Sequence, residues 1–222
     1  MKKQKIKAIL FDLDGTLIYS IPLHKKSFQL LFQEFGCSLK ISEVSKYIRW
    51  STEEIYQKLK VRERLDLDLE KFLQLRRKKY YSLISRKKLV FENRVKALKK
   101  LKKKYCLGLV TNSSRFSMER STTARFRKLF NPTITFSDVL RGKPNPEMLL
   151  LACKKLRVKP SECILIGDSI VDVKAAKAAG IKVLAFYHKT GASSLSELRK
   201  TKPTKLIRNL RELDSFLKKI EN

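Results

Sequence analysis

The sequence predicts an α/β fold with a parallel sheet, interrupted by an all-helical insertion. Two observations support this class. From residue 89 onward, short apolar runs that favour β-structure alternate with segments of helical period, as in βαβ units around a parallel sheet. Between residues 18 and 88, by contrast, the apolar residues recur at helical spacing alone, which indicates a block of helices inserted after the first strand.

The first strand and the insertion follow from the spacing of apolar residues. Residues 5–12 form an apolar run that ends at Asp12, and Gly15 then provides a turn. In the insertion, the helical spacing of the phenylalanines and leucines is broken at Gly36, which ends the first helix. Three helices are predicted there, over residues 22–35, 42–60 and 67–85.

Beyond the insertion, helices and strands alternate along the chain. Helices are predicted over residues 92–104, 117–129, 146–156, 170–179 and 209–220. Strands are predicted over residues 105–111, 133–136, 163–167, 181–186 and 205–207. These elements assign residues 1–17 and 89–222 to a core domain and residues 18–88 to an inserted helical domain.

The composition excludes several classes of protein. Of the 222 residues, 43% are hydrophobic, which is enough for a sizeable core and argues against a disordered chain. The apolar runs are far shorter than the ~18 residues that a membrane span needs, so no membrane association is expected. The N-terminus has no apolar segment of the kind found in secretion signals. The four cysteines show no metal-binding spacing, and we expect reduced thiols in a cytoplasmic protein.

The net charge of +30 is spread almost evenly over the chain. Residues 18–88 and the rest of the sequence carry nearly the same density of excess positive charge. An even spread favours a lysine-rich background or a loose attraction for anions over a dedicated nucleic-acid patch. Nucleic acid therefore stays an alternative partner, but not the favoured one.

Carboxylates follow two of the predicted strands. Asp12 and Asp14 follow the first strand, and Asp168 and Asp172 follow the strand over 163–167. Because the carboxyl ends of parallel strands meet at one edge of a sheet, we expect the four side chains to converge there. Such a cluster suits a hard cation with oxygen ligands, of which Mg²⁺ is the usual one. The alternative is structural: Asp12 and Asp14 in a turn, and Asp168 as the N-cap of a helix.

Thr111 and Lys143 supply the opposite chemistry at the same edge. Thr111 ends the strand over 105–111, and Lys143 opens a loop that Pro144 and Pro146 restrain before a helix. A phosphoryl group needs cations and hydrogen-bond donors around its oxygens, because carboxylates alone would repel it. The combination therefore points to phosphate chemistry.

Taken in order, these segments form four motifs. They read Asp12-Leu13-Asp14-Gly15-Thr16-Leu17, Val110-Thr111-Asn112-Ser113, Lys143-Pro144-Asn145-Pro146-Glu147 and Gly167-Asp168-Ser169-Ile170-Val171-Asp172. Through them the whole chain resembles the haloacid dehalogenase superfamily, in its branch of phosphoglycolate phosphatase-like and β-phosphoglucomutase-like proteins. The resemblance implies a Rossmann-like three-layer core and identifies the helical insertion with the C1 cap of that branch.

The resemblance also implies a role for each residue that matches a motif. Asp12 would be the nucleophile that takes the phosphoryl group, and Asp14 the general acid and base. The Mg²⁺ ligands would come from Asp12, the Asp14 backbone carbonyl, Asp168 and Asp172. The phosphoryl oxygens would be bound by Thr111, Asn112 and Lys143. The implied activity is a Mg²⁺-dependent phosphatase that acts on a small phosphorylated metabolite; monomer and dimer both stay open.

The insertion suggests further contacts and leaves alternatives. His24 matches a histidine that touches substrate in the mutase branch, and Arg49 lies in the loop that could meet the substrate. A phosphomutase is one alternative, although Glu53 stands where the mutases carry an arginine. The others are a basic nucleic-acid-binding protein, with or without phosphatase activity on nucleic-acid ends, and a catalytically idle relative that acts by binding.

Overall fold

The computed structural model describes residues 5–37, 40–47, 52–62, 67–85 and 89–221. The chain forms two compact units, one of Met1–Tyr19 with Val90–Asn222 and one of Ser20–Leu89. None of the described helices is both long and apolar enough to cross a membrane.

The first unit is built on a six-stranded sheet in the order β3-β2-β1-β4-β5-β6, in which every neighbouring pair is parallel. The strands are β1 Ala8–Phe11, β2 Cys106–Thr111, β3 Thr133–Thr135, β4 Cys163–Gly167, β5 Lys182–Phe186 and β6 Lys205–Ile207. The central strands are short and almost wholly apolar because both of their faces are covered.

Helices cover both faces of the sheet. They are α5 Glu92–Leu101, α6 Arg115–Ser121, α7 Ala124–Arg127, α8 Glu147–Leu156, α9 Ile170–Ala178, α10 Leu195–Lys200 and α11 Arg211–Glu221. On one face, Ala8 and Leu10 belong to a buried cluster with Met148 of α8 and Val173 of α9. On the other face, the Arg94 guanidinium of α5 stacks on Phe186 of β5. The layered α/β prediction is confirmed.

The elements described in the second unit are all helices. Its helices are α1 Ile21–Glu34, α2 Ile41–Tyr47, α3 Thr52–Arg62 and α4 Leu69–Ile84. Phe28 and Phe32 of α1 pack with Tyr56 of α3 and Phe72 of α4 in an aromatic core. The single helix predicted over 42–60 includes residues 48–51, which lie outside the described residues.

Two elements of the first unit differ from the prediction. The helix predicted over 117–129 is interrupted, because Thr122 is extended and Thr123 starts α7 by accepting a hydrogen bond from Phe126. The helix α10 was not predicted. Its start is nevertheless encoded in a capping box, in which Ser194 and Glu197 satisfy each other's backbone N–H groups.

The register of the central strands defines the edge where polar side chains meet. Phe11 at the end of β1 lies between Leu109 of β2 and Ile166 of β4. The residues that directly follow β1 and β4 therefore leave the sheet side by side, next to the end of β2. This is the carboxyl edge, where open α/β sheets hold their ligands.

Candidate active site

Lys143 links two carboxylates at the carboxyl edge. Its Nζ lies 2.7 Å from Oδ1 of Asp12 and 2.6 Å from Oδ1 of Asp172, and it also donates to the Val110 carbonyl at 3.0 Å. All three charged side chains are buried. A buried ammonium with three acceptors is held in one place, so the lysine fixes the two aspartates with respect to each other.

Burial dominates the electrostatics of this group. Burial raises the pKa of Asp12 to about 7; the Lys143 ammonium opposes the rise, and the charges of Asp172 and Asp14 add to it. Burial alone would lower the pKa of Lys143, but the two carboxylates outweigh it and hold that pKa above its ordinary value. The lysine is therefore charged at neutral pH, whereas Asp12 is only partly ionised there, and further positive charge would favour its ionised form.

Asp168 completes a cluster of three carboxylates. Ligand oxygens of Asp12, Asp168 and Asp172 lie within 4.8 Å of one another. One oxygen of Asp168 accepts the Ala192 backbone N–H at 2.6 Å, and the other faces the Thr16 hydroxyl at 3.4 Å. Burial and the neighbouring carboxylates raise the pKa of Asp168 well above its ordinary value.

The donor set suits a hard divalent cation. Lys143 contacts two of the three buried carboxylates, so their negative charge exceeds the positive charge of this lysine when all three ionise. The raised pKa values of Asp12 and Asp168 express this imbalance, which a bound cation would remove. All the donors are oxygens, the ligands that Mg²⁺ prefers. The residues present therefore fit the predicted magnesium ion.

Asp172 divides its two oxygens between the site and a helix. Oδ1 binds Lys143, whereas Oδ2 accepts the backbone N–H and the hydroxyl of Ser169 in the capping box of α9. The N-cap of α9 is therefore Ser169 and not Asp168, so the structural alternative for Asp168 is wrong. Gly167 is required here because a Cβ atom on it would lie 2.4 Å from Cγ of Asp172.

Asp14 lies at the same edge but points to a different partner. Its Oδ2 accepts the Ser113 hydroxyl at 2.7 Å and the Thr111 hydroxyl at 3.3 Å, both from the end of β2. Asp14 is only half-buried, and its carboxylate is not in the three-membered cluster found among the described residues. The structure thus brings together three of the four predicted carboxylates and places the fourth against hydroxyl donors.

Asn112 holds the loop that carries the lysine. Its side-chain Nδ2 donates to the Lys143 carbonyl, and its Oδ1 accepts the Lys143 backbone N–H, both at 2.8 Å. The neighbouring Gly142 is needed because a Cβ atom there would lie 2.8 Å from the Asn112 Oδ1. In this arrangement the amide positions Lys143; its contact with a phosphoryl group stays a prediction.

Three residues that the sequence analysis did not assign also shape the site. Ser113 binds Asp14, while Arg94 and His188 bind the backbone that follows Asp14. Signals for two of them exist in the sequence. Arg94 occupies the buried stripe of α5 together with Leu98 and Leu101, an unusual place for a charge, and His188 follows the end of β5.

The two predicted cap residues belong to the helical insertion. His24 lies in α1, where its ring stacks on Tyr80 with centroids 4.1 Å apart and its Nδ1 contacts the Arg76 guanidinium. Arg49 lies outside the described residues. The substrate contacts proposed for His24 and Arg49 stay predictions.

Comparison with known proteins gives consistent matches. The model of a family described as haloacid dehalogenase-like hydrolase matches residues 9–186. Pyrophosphatase PpaX from Bacillus mycoides is 31% identical over 186 residues, which are 82% of this chain and 83% of the relative.

Solved structures extend the similarity over nearly the whole chain. A putative phosphoglycolate phosphatase from Lactobacillus plantarum has a TM-score of 0.77 at 20% identity and covers 95% of this chain and 99% of its own. A putative beta-phosphoglucomutase from Thermotoga maritima has a TM-score of 0.76 at 25% identity and covers 96% of this chain and 99% of its own.

Proposed function

Because the chain belongs to the haloacid dehalogenase-like hydrolase family, we propose that it is a Mg²⁺-dependent phosphatase that hydrolyses a small phosphomonoester through a phosphoaspartate on Asp12. One observation carries this proposal. The buried carboxylate of Asp12 contacts Lys143 at 2.7 Å, lies in a cluster of three acidic ligands, and is followed two residues later by a second acid under hydroxyl donors. The residues proposed as nucleophile and proton carrier, Asp12 and Asp14, thus lie with the Lys143 ammonium at one edge of the sheet.

In the first step, an oxygen of Asp12 attacks phosphorus and the bond from phosphorus to the substrate oxygen breaks. Lys143 favours the ionised form of Asp12 and adds positive charge where the phosphoryl oxygens arrive. Thr111 ends β2, and its hydroxyl, which donates to Asp14 at 3.3 Å in the free protein, would turn to donate to a phosphoryl oxygen when substrate binds. Mg²⁺ bound to Asp12, the Asp14 carbonyl, Asp168 and Asp172 would neutralise charge on the transferring group.

Asp14 carries the proton in both steps. Protonated Asp14 gives its proton to the leaving alcohol, which departs neutral, and Asp14 is left as a carboxylate. That carboxylate then takes a proton from the attacking water, whose oxygen bonds to phosphorus while the bond to Asp12 breaks. The products are inorganic phosphate and the original carboxylate of Asp12. The Ser113 hydroxyl, 2.7 Å from Oδ2 of Asp14, keeps the Asp14 carboxyl oriented during this exchange.

The names of the relatives suggest two kinds of leaving group, an alcohol and a phosphate. Curated relatives at 31% and 32% identity are named pyrophosphatase PpaX, whereas some solved structures carry phosphoglycolate phosphatase and phosphoglucomutase names. In diphosphate the leaving group is phosphate, which Asp14 would protonate in the same way. A phosphomutase would differ, because it must return the phosphoryl group to a sugar; the exposed Glu53 of α3 does not supply the positive charge of the mutase arginine.

The test is phosphate release from a panel of alkyl phosphates, sugar phosphates and inorganic diphosphate, with Mg²⁺ and with EDTA. Asp12→Asn should remove activity, whereas Asp214→Asn, which removes a carboxylate of α11 paired with the exposed Lys100, should retain it. Labelled substrate should leave an acid-stable, hydroxylamine-sensitive phosphate on the wild type. Full activity in Asp12→Asn or in EDTA would refute the proposal, and release that needs a bisphosphate activator would favour the mutase.

A further inference from the structure

The backbone directly after Asp14 is held by two side chains from other parts of the sheet unit. The Arg94 Nη1 donates to the Thr16 carbonyl and lies 3.5 Å from the Gly15 carbonyl. The His188 Nε2 contacts the same Gly15 carbonyl. The carbonyl groups of two successive turn residues, Gly15 and Thr16, are thus held by side chains from α5 and from the loop after β5.

Arg94 is itself firmly held. It is only 9% exposed, and its guanidinium lies 3.8 Å from the ring centroid of Phe91 and 4.8 Å from that of Phe186. Burial lowers its pKa to about 10, so the side chain stays cationic at neutral pH. A buried cation between two aromatic faces has few alternative positions, and its hydrogen bonds are correspondingly well directed.

His188 has a defined hydrogen on the nitrogen that faces the turn. The Gly15 carbonyl can only accept, so Nε2 must carry the hydrogen. The other nitrogen, Nδ1, lies 2.9 Å from the Thr190 hydroxyl, which donates to it when the ring is neutral. Burial lowers the pKa of His188, which favours this neutral form. Thr190 therefore orients the ring so that its donor points at Gly15.

Gly15 depends on this support through its carbonyl, because its N–H is already held by the Ile18 carbonyl at 3.0 Å. Its φ of +83° lies in a region that glycine enters freely, and glycine loses more conformational freedom on ordering than any other residue. It is bonded directly to Asp14, so rotation about its backbone would displace that carboxyl group. Ser113 and Thr111 orient the Asp14 side chain, but they do not hold the peptide groups that follow it.

We propose that Arg94 and His188 are positioning residues that fix the Gly15 turn and so place Asp14 for proton transfer to the leaving group. The inference rests on the proposed phosphatase function, because it assumes that Asp14 acts as the acid. Neither side chain is assigned a contact with the substrate. Their effect should therefore depend on how strongly a substrate needs protonation of its leaving oxygen.

The experiment compares kcat/KM for a primary alkyl phosphate and for p-nitrophenyl phosphate, both at saturating Mg²⁺ because the Asp14 carbonyl next to Gly15 is one of the proposed metal ligands. For each substrate, kcat/KM reports the steps up to the loss of the leaving group. The later hydrolysis of the phosphoaspartate therefore does not affect it. An alkoxide needs a proton from Asp14, whereas p-nitrophenolate leaves without one. The variants are Arg94→Met, Arg94→Lys and His188→Ala, with Lys96→Met as the control that removes a cation from the exposed face of α5.

We expect Arg94→Met and His188→Ala to lower kcat/KM for the alkyl phosphate ~30- to 100-fold, as for a general acid displaced by about 1 Å, and to lower it for p-nitrophenyl phosphate less than about threefold. Arg94→Lys, which keeps a cation but loses the planar fork, should fall between Arg94→Met and the wild type. The Lys96→Met control should change neither substrate.

A merely structural role would give a different pattern. Equal losses on both substrates, or no loss on either, in His188→Ala and in the Arg94 variants that fold would overturn the inference. If Arg94→Met does not fold, His188→Ala and Arg94→Lys decide the question. A wild type that acts on neither of these substrates nor on any member of the panel would overturn the phosphatase proposal itself, and the inference with it.

Discussion

The metal-free protein should lose stability as the pH rises from 5 to 7.5, and Asp12→Asn should remove much of that loss. Burial raises the pKa of Asp12 to about 7, whereas an aspartate in the unfolded chain titrates near 3.8. Between these values the folded state holds a proton that the unfolded state has released. Stability that is fully present below pH 3.8 is therefore lost as the pH rises towards 7.

The size of the effect follows from the two pKa values. Proton linkage with values of 3.8 and about 7 gives a loss of roughly 2–3 kcal/mol between pH 5 and 7.5. For a chain of this length that corresponds to roughly 5–10 °C in the thermal midpoint. Asp168, whose pKa is also raised by burial, acts in the same direction, while His188, whose pKa is lowered by burial, acts in the opposite one. Both remain in the variant, but the pKa of Asp168 is lower there because the Asp12 charge that helps to raise it is gone, so the variant should lose the contribution of Asp12 and part of that of Asp168.

The assay is thermal unfolding followed by circular dichroism in EDTA at several pH values, for wild type and Asp12→Asn. The wild-type midpoint should fall towards pH 7.5 relative to that of the variant. Adding Mg²⁺ should raise the wild-type midpoint more at pH 7.5 than at pH 5, because the carboxylates must lose their protons to bind the ion. Parallel pH profiles for the two proteins in EDTA would refute the reasoning.

Three further substitutions test other contacts of the site. Lys143→Met leaves two buried carboxylates without their cation; it should cost about 3–5 kcal/mol in the free energy of unfolding measured with urea, and at least ~100-fold in kcat/KM for phosphate release. Gly167→Ala places a Cβ atom 2.4 Å from Cγ of Asp172, so thermal unfolding should show a loss of about 2 kcal/mol and activity should fall with it; an unchanged variant would contradict the close approach. Ser169→Ala removes half of the capping box of α9 and should cost about 1 kcal/mol in urea unfolding, while the contact of Asp172 with Lys143 keeps most of the activity.

Most of the sheet unit could be predicted from the sequence because its strands are short apolar runs buried on both faces. The interruption at Thr122 and Thr123 could not be read from apolar spacing, since their hydroxyls compete for backbone groups that a continuous helix would use. The helix α10 was missed for a related reason. It is only six residues long, too short for a period to emerge, although Ser194 and Glu197 mark its start.

The site also has a part that the sequence predicts and a part that it does not. Residues that directly follow a strand were predictable, whereas contacts between side chains from different strands were not. The gathering of Asp12, Asp168 and Lys143 at one edge was predictable, because parallel strands bring their carboxyl ends together. The turning of Asp14 towards Ser113 and the use of the Asn112 amide to hold the Lys143 loop depend on side-chain directions that no sequence pattern encodes.

Contacts from distant elements could not be predicted from the spacing of residues within motifs. The Arg94 guanidinium reaches a carbonyl 78 residues away along the chain, and His188 reaches one 173 residues away. Only their chemistry could have drawn attention to them, as a charge in an apolar stripe and as a histidine at a strand end.

Asp172 and Lys143 contribute to the fold as well as to the site, and this double role bears on how the protein could change during evolution. Both side chains are fully engaged in the buried core, and removing either would weaken the fold as well as the chemistry. Selection for folding alone would therefore preserve them, even in a descendant that had abandoned catalysis. Asp14 is only half-buried and accepts hydrogen bonds from two hydroxyls, so a lineage without need of the reaction could replace it by another acceptor at less structural cost than Asp172 or Lys143. Its presence here says more about activity than the persistence of the residues around it.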